Sequence, residues 1–136
     1  MKLNPYLNFD GRCEDALTFY EKCLGGKTVM KMTWGESPMD AKMPPDWGKK
    51  IIHASFELEG QTIGASDSPP GYYQKPQGIT LALNIDAPAE AERVFKVLSE
   101  KGAVMMPIAE TFWALRFGLC VDQFGIPWMI NCGKPA

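Results

Sequence analysis

Two punctuation marks recur at a fixed interval and limit what this chain can become. Asp10 lies 76 residues before Asp86, and Gly26 lies 76 residues before Gly102. Between each pair runs a helical pattern. Cys13, Ala16, Leu17, Tyr20, Cys23 and Leu24 share one face of the first, and Ala91, Val94, Phe95 and Leu98 share one face of the second. Each helix follows a short apolar strand, Tyr6 to Phe9 and Ile79 to Ile85, and each is followed by three further strands. In the first half these are Thr28 to Trp34, Ile51 to Glu59 and Gln61 to Ser66, the last two joined by a turn at Glu59-Gly60. In the second half they are Val104 to Ala109, Ala114 to Val121 and Trp128 to Cys132. Asp10-Gly11 offers a turn and cap for the first helix, and Gly25-Gly26 and Gly102 supply the stops. Pro88 falls in the first turn of the second helix, where its missing N–H costs nothing. The pattern predicts an α+β fold of two tandem βαβββ modules, about 1–67 and 79–133, with 68–78 (DSPPGYYQKPQG from Asp67) as linker, in a single domain.

The plainest local signal is Asp122-Gln123-Phe124-Gly125 between two apolar runs, a hairpin turn with Pro127 just beyond it. This closing stretch resembles that of the PhnB-like proteins, a branch of the vicinal oxygen chelate (glyoxalase/bleomycin-resistance/dioxygenase) superfamily. The residues that carry the resemblance are Glu110 to Trp113, Phe117-Gly118 and Asp122 to Asn131. Asn4 to Leu7, Phe19-Tyr20, Leu24 to Gly26, Ile52 to Ala54 and Ser66-Asp67 add to it, so it spans nearly the whole chain. The resemblance implies paired βαβββ modules around a cavity, and a homodimer. Metal-dependent members place one His, Gln or Glu on each of four strands to hold a divalent ion. Aligned on the shared residues, those positions fall at or beside Pro5, Gly64, Thr80 and Met129, and neither they nor their neighbours are carboxylates or imidazoles. The expectation is therefore no cofactor and no superfamily metal centre. Proteins of this kind have carried a ubiquinone-methyltransferase label, but no glycine-rich nucleotide loop stands in this sequence, and two tandem modules are the wrong architecture for that activity.

Composition removes other classes. A net charge of −2 over 136 residues gives no field for nucleic acid or an anionic membrane, and no apolar run approaches the length of a membrane span. The start of the chain does not read as a secretory signal, which implies the cytoplasm. Cys13, Cys23, Cys120 and Cys132 form no CxxC pair and read as small buried hydrophobes.

What remains is a weakly polar, aromatic ligand face. Its candidate residues are His53, Ser66, Asp67, Phe112, Trp113 and Arg116. His53, the single histidine, reads either as a half-buried ring held by one hydrogen bond or as a ligand contact or general base. Asp67 could cap a turn or orient His53. Phe112 and Trp113 are either core or cavity wall, and Arg116 either reaches solvent or meets an anion. The Pro-rich stretch Gly35 to Lys50, with Met39, Met43 and Trp47, is a surface excursion or a lid. Two functions compete: a dimeric protein binding a small aromatic or amphipathic molecule, and an enzyme acting on a small oxygenated or phosphonate-like substrate.

Overall fold

The computed structural model describes residues 1–38 and 43–135 and divides into two units, Met1–Gln74 and Lys75–Ala136. In the first unit the elements are β1 (Tyr6–Phe9), α1 (Cys13–Leu24), β2 (Lys27–Thr33), β3 (Ile51–Leu58) and β4 (Gln61–Asp67). In the second they are β5 (Leu81–Asn84), α2 (Pro88–Ser99), β6 (Ala103–Ala109), β7 (Ala114–Val121) and β8 (Pro127–Gly133). The sheets run β1-β4-β3-β2 and β5-β8-β7-β6. In each, the first strand pairs in parallel with the last, and the other pairs are antiparallel. This is the vicinal oxygen chelate fold, α+β, with the two modules expected from the repeat.

Alternation along the strands decides which face of each sheet takes the helix. Leu7 and Phe9 of β1, Ala54 and Phe56 of β3 and Ala65 of β4 are buried, as are Cys13, Ala16, Leu17, Tyr20 and Cys23 of α1. Their in-between neighbours Tyr6, Asn8, His53 and Ser55 are exposed or half-buried and occupy the opposite, open face. Lys31 confirms the parity on β2. It stands opposite Ala54 and its Nζ lies 3.2 Å from Glu14 Oε2 on α1, so Met30 and Met32 belong to the open face. Burying a large apolar side chain is worth about 1.5–3 kcal/mol, so each helix–sheet core stabilises its own unit substantially. In the second unit Trp128, Ile130 and Cys132 of β8 take the helix side with Val94, Phe95 and Leu98 of α2.

The helix ends differ from the sequence reading in an instructive way. Asp10 does not cap α1. The N-cap is Arg12, without a side-chain cap, and the first helical N–H, that of Cys13, donates instead to Asp67 from the far end of β4, as does the Gly11 N–H just before the helix. At the other end, Gly25 holds the left-handed conformation, φ 80°. In the second unit the C-cap of α2 is Glu100, which leaves the helical conformation at φ −59° and ψ 131°. Lys101, 76 residues after Gly25, follows at φ 59° in the turn closed by Gly102 N–H on the Ser99 carbonyl. Gly26 and Gly102 serve a different need. A Cβ would lie 2.6 Å from the Glu57 carbonyl oxygen at Gly26 and 2.2 Å from the Val121 carbonyl oxygen at Gly102, so both lie flush against the neighbouring strand. Strand β5 is shorter than expected, leaving Ile79 and Thr80 outside it.

Candidate functional site

Residue 64 organises the open face of the first sheet. Gly64 on β4 stands opposite Tyr6 on β1 and, across its other edge, opposite Ser55 on β3. A Cβ at Gly64 would lie 2.4 Å from Tyr6 Cδ2, so the phenol ring lies directly over this glycine. Crossing the empty position brings Tyr6 to the third strand. Its Oη is 2.9 Å from His53 Nδ1, and the two rings are near parallel at 15° with centroids 5.7 Å apart. Tyr6 Oη also lies 3.4 Å from the Ala65 carbonyl oxygen, which can accept its proton. His53 Nδ1 thus has a fixed partner on the protein. Beyond this pair, Ser66 donates to Asn8 Oδ1 at 3.4 Å, extending a polar row along the same face.

Tyr6 is the residue that reading the sequence missed. Its connection to His53 depends on β4 lying between β1 and β3, which no local pattern reveals. Gly64 was the available signal, as a glycine inside a strand marks a close approach.

The other candidates separate. Asp67 ends β4 on the helix side and is 1% exposed. Its Oδ1 accepts from the backbone N–H groups of Gly11 and Cys13, its Oδ2 from that of Ile51, all at 2.9 Å. It therefore joins the start of α1 to the start of β3 and does not orient His53, which faces the other way. Arg116 is tied within its own unit. It donates to Glu92 Oε1 on α2 at 2.8 Å and to the Leu115 carbonyl, and the bond to Glu92 raises its pKa. Phe112 and Trp113 precede β7 and form an exposed cluster with Phe117, with centroids 4.7 and 5.2 Å apart in edge-to-face contacts. Phe112 is 87% exposed, so core is not its role.

In the proposed lid, Met39 lies outside the described residues. The flanks fold back on the first unit as 3-10 turns, Trp34–Glu36 and Pro45–Lys49, with Trp34 N–H donating to the Lys50 carbonyl at 2.8 Å. Trp47 reaches Gly11 with its ring edge, where Lys50 Nζ also donates to the Gly11 carbonyl, and Met43 is half-buried.

The register partner of Gly64 is Tyr6, next to Pro5, and that of Met129 on β8 is Ala82. A phenol, a hydrogen atom, a methyl and a thioether do not make the hard donor set of a divalent ion. In the first unit the space above residue 64 is moreover taken by the Tyr6 ring. Among the described residues no group of three or more His, Cys, Asp or Glu is placed to hold a metal ion.

Similarity to known proteins agrees with this architecture. The sequence model of a family described as 3-demethylubiquinone-9 3-methyltransferase matches residues 1–131. The chain belongs to that family, which is PhnB-like. Protein YjdN of Escherichia coli K12 is 38% identical over 144 residues, covering 98% of this chain and 97% of YjdN. The crystal structure of PA1353 from Pseudomonas aeruginosa superposes with a TM-score of 0.89 at 41% identity, covering 99% of each chain. A Bacillus cereus PhnB protein, described as a putative 3-demethylubiquinone-9 3-methyltransferase, gives a TM-score of 0.83 at 24% identity over 98% of this chain and 100% of its own. A glyoxylase/bleomycin resistance protein/dioxygenase domain from Frankia shares the fold at 13% identity and a TM-score of 0.68, over 98% of each chain.

Proposed function

We propose that this PhnB-like protein binds a small aromatic or amphipathic molecule and works without the divalent metal centre of its superfamily. The observation that carries the reading is the Tyr6 ring lying across Gly64 and bonded to His53. The ring covers Gly64, one of the positions where the resemblance implies a metal ligand, and its hydroxyl holds the His53 imidazole beside it. Ring faces flanked by a few placed polar groups suit apolar ligands with one or two acceptors. Ser66, Asn8 and Ser55 supply the polar groups on this sheet. On the second unit, Phe112, Trp113 and Phe117 form an exposed aromatic cluster of their own, a further surface suited to an aromatic ligand. We further propose that the protein is a homodimer. The family resemblance carries this, and the exposed Val29 on β2 and Val104 on β6 offer apolar surface that a second copy would cover.

The test is metal analysis of protein purified without chelator, followed by a ligand screen. Less than a tenth of an equivalent of divalent ion is expected, with aromatic fragments shifting the ring signals of the single histidine. A stoichiometric divalent ion would overturn the metal-free reading. Light scattering should give twice the 15.1 kDa chain mass, and a monomer at micromolar concentration would remove the dimer.

A second reading is an enzyme acting on a small oxygenated or phosphonate-like substrate. The Tyr6–His53 bond favours it, since the pair can hold or release a proton at Nε2. A trio of His53, Asp67 and Arg116 does not, because Asp67 and Arg116 are engaged elsewhere. The methyl transfer in the family's description requires a methyl-donor nucleotide. Calorimetry with S-adenosylmethionine tests that directly, and tight binding would favour it.

A further inference from the structure

The strand beside His53 carries Met30-Lys31-Met32. Met32 stands directly opposite His53 and Met30 directly opposite Ser55, in the regular stretch between two register shifts of the β2–β3 pair. Lys31, between them, points to α1 and its Glu14. Both thioethers therefore lie on the open face with the imidazole, each methionine 42% exposed. Directly opposite residues of an antiparallel pair hold their Cβ atoms about 4.5–5.5 Å apart, and diagonal ones about 7–8 Å. Methionine's three rotatable bonds cover either separation.

We propose that Met30, Met32 and His53 form a binding site for a soft monovalent cation, Cu(I). Two neutral thioethers and one imidazole are a soft donor set, poor for Mg(II), Ca(II) or the superfamily's divalent ion and suited to Cu(I). The site does not restore the superfamily centre, because it lies on β2 and β3 and uses none of Pro5, Gly64, Thr80 or Met129 as ligand. It shares His53 with the proposed binding face but does not depend on that proposal.

The surroundings of His53 supply what a metal-binding histidine needs behind it. A ligand at Nε2 requires the proton on Nδ1, with an acceptor waiting there. Tyr6 Oη lies 2.9 Å from Nδ1 and can accept that hydrogen bond, because its own hydrogen can go to the Ala65 carbonyl at 3.4 Å. Tyr6 is thus a positioning residue for the metal-binding tautomer. Charge does not oppose a cation. Glu57 follows two residues after Ser55 on the same face of β3, while Lys31 is turned away to Glu14.

The duplicated architecture provides an internal control. Met106 occupies on β6 the place of Met30 on β2, 76 residues on, and it is exposed to the same 42% beside an exposed Met105. The residue opposite Met106 is Leu119, so the thioethers of β6 have no imidazole across the strand. Generic attraction of exposed methionines for a soft ion would therefore act on both strands, and a built site only on β2.

The experiment uses the full chain with methyl-labelled methionine and nitrogen-labelled histidine. It is titrated with Ag(I) as the redox-inert stand-in, then with Cu(I) without oxygen. With one equivalent, the methyl signals of Met30 and Met32 and the His53 ring signals should shift together, with Met105 and Met106 unmoved. Tyr6→Phe keeps the ring on Gly64 and removes only the hydroxyl. It should weaken binding about 10- to 100-fold and loosen the nitrogen signature of the Nδ1–H tautomer. Met30→Leu with Met32→Leu preserves apolar volume and should abolish the stoichiometric step. Equal shifts at Met105 and Met106 would overturn the proposal, as would a silent His53. Metal taken up by Cys13, Cys23, Cys120 or Cys132 with unmoved methionines would also overturn it. None of these outcomes depends on whether an organic ligand binds.

Discussion

Replacing Asp67 separates a structural from a ligand-binding role for a residue that looks functional in sequence. Its carboxylate accepts three backbone N–H groups, those of Gly11, Cys13 and Ile51, each at 2.9 Å. The Cys13 and Ile51 bonds are buried and the Gly11 bond is partly so. A buried donor left without an acceptor costs about 1–3 kcal/mol, and water can reach Gly11 more easily than the other two. Asp67→Ala should therefore destabilise the protein by about 3–5 kcal/mol, a large share of the roughly 5–15 kcal/mol available to a domain. Asp67→Asn keeps one carbonyl oxygen but turns an NH2 group toward one of the donors, and should cost about half as much. Urea denaturation followed by circular dichroism, at one fixed protein concentration, measures both. At low temperature, where the variants stay folded, the His53 ring signals and ligand affinity should match wild type. A loss below about 1 kcal/mol in Asp67→Ala, together with lost ligand binding, would refute the reasoning and return Asp67 to the ligand site.

Gly64→Ala should displace the Tyr6 ring, cost about 1–3 kcal/mol from overpacking, and abolish the hydrogen-bonded His53 signature in nitrogen NMR. An unchanged signature would show that the ring does not need the glycine. Lys101→Gly should stabilise by about 0.5–1 kcal/mol, because the left-handed position costs glycine no Cβ clash, and thermal melts can register it. The four cysteines are buried, so a thiol reagent at pH 8 should label none in the folded state within the time that labels all four in urea. Burial, and then Asp122, push the Cys120 thiol up to about 11 from an ordinary 9.0, and Cys13 moves the same way. A raised thiol pKa favours the neutral folded form. That contribution is complete below about pH 9 and is lost as pH rises through about 11, so urea midpoints should fall across that window.

How much of this was legible depended on the distance between partners. The amphipathic faces of α1 and α2 and the hairpin at Asp122 to Gly125 are written in contiguous residues, and they stand where periodicity put them. Glu59 and Gly60 both take positive φ, as the turn between β3 and β4 requires. The caps were misread because the acceptor for Cys13 sits 54 residues away, on a strand whose parallel pairing with β1 no local pattern encodes. The same blindness hid Tyr6. Its importance follows from strand order, with Gly64 between it and His53. Gly102 looked like a helix stop because a glycine after a helix usually is one. Here the closeness of the Val121 carbonyl demands it instead, and Lys101 bears the turn.

The parallel pairing of β1 with β4 also sets a schedule. The first strand to be synthesised must wait for the last of its module, and Asp67, which fastens the beginning of α1, is the final residue of that last strand. Until it leaves the ribosome, β1 has no neighbour and α1 no cap, while β2 and β3 can already pair as a hairpin. The first module should therefore lock in one late step, as Asp67 emerges and before most of the second module has been made. Protease probing of stalled nascent chains should show protection appearing between tethered lengths just short of Asp67 and those that expose Gln74. Gradual protection from Phe9 onward would show that the helix and hairpin settle without waiting for the latch.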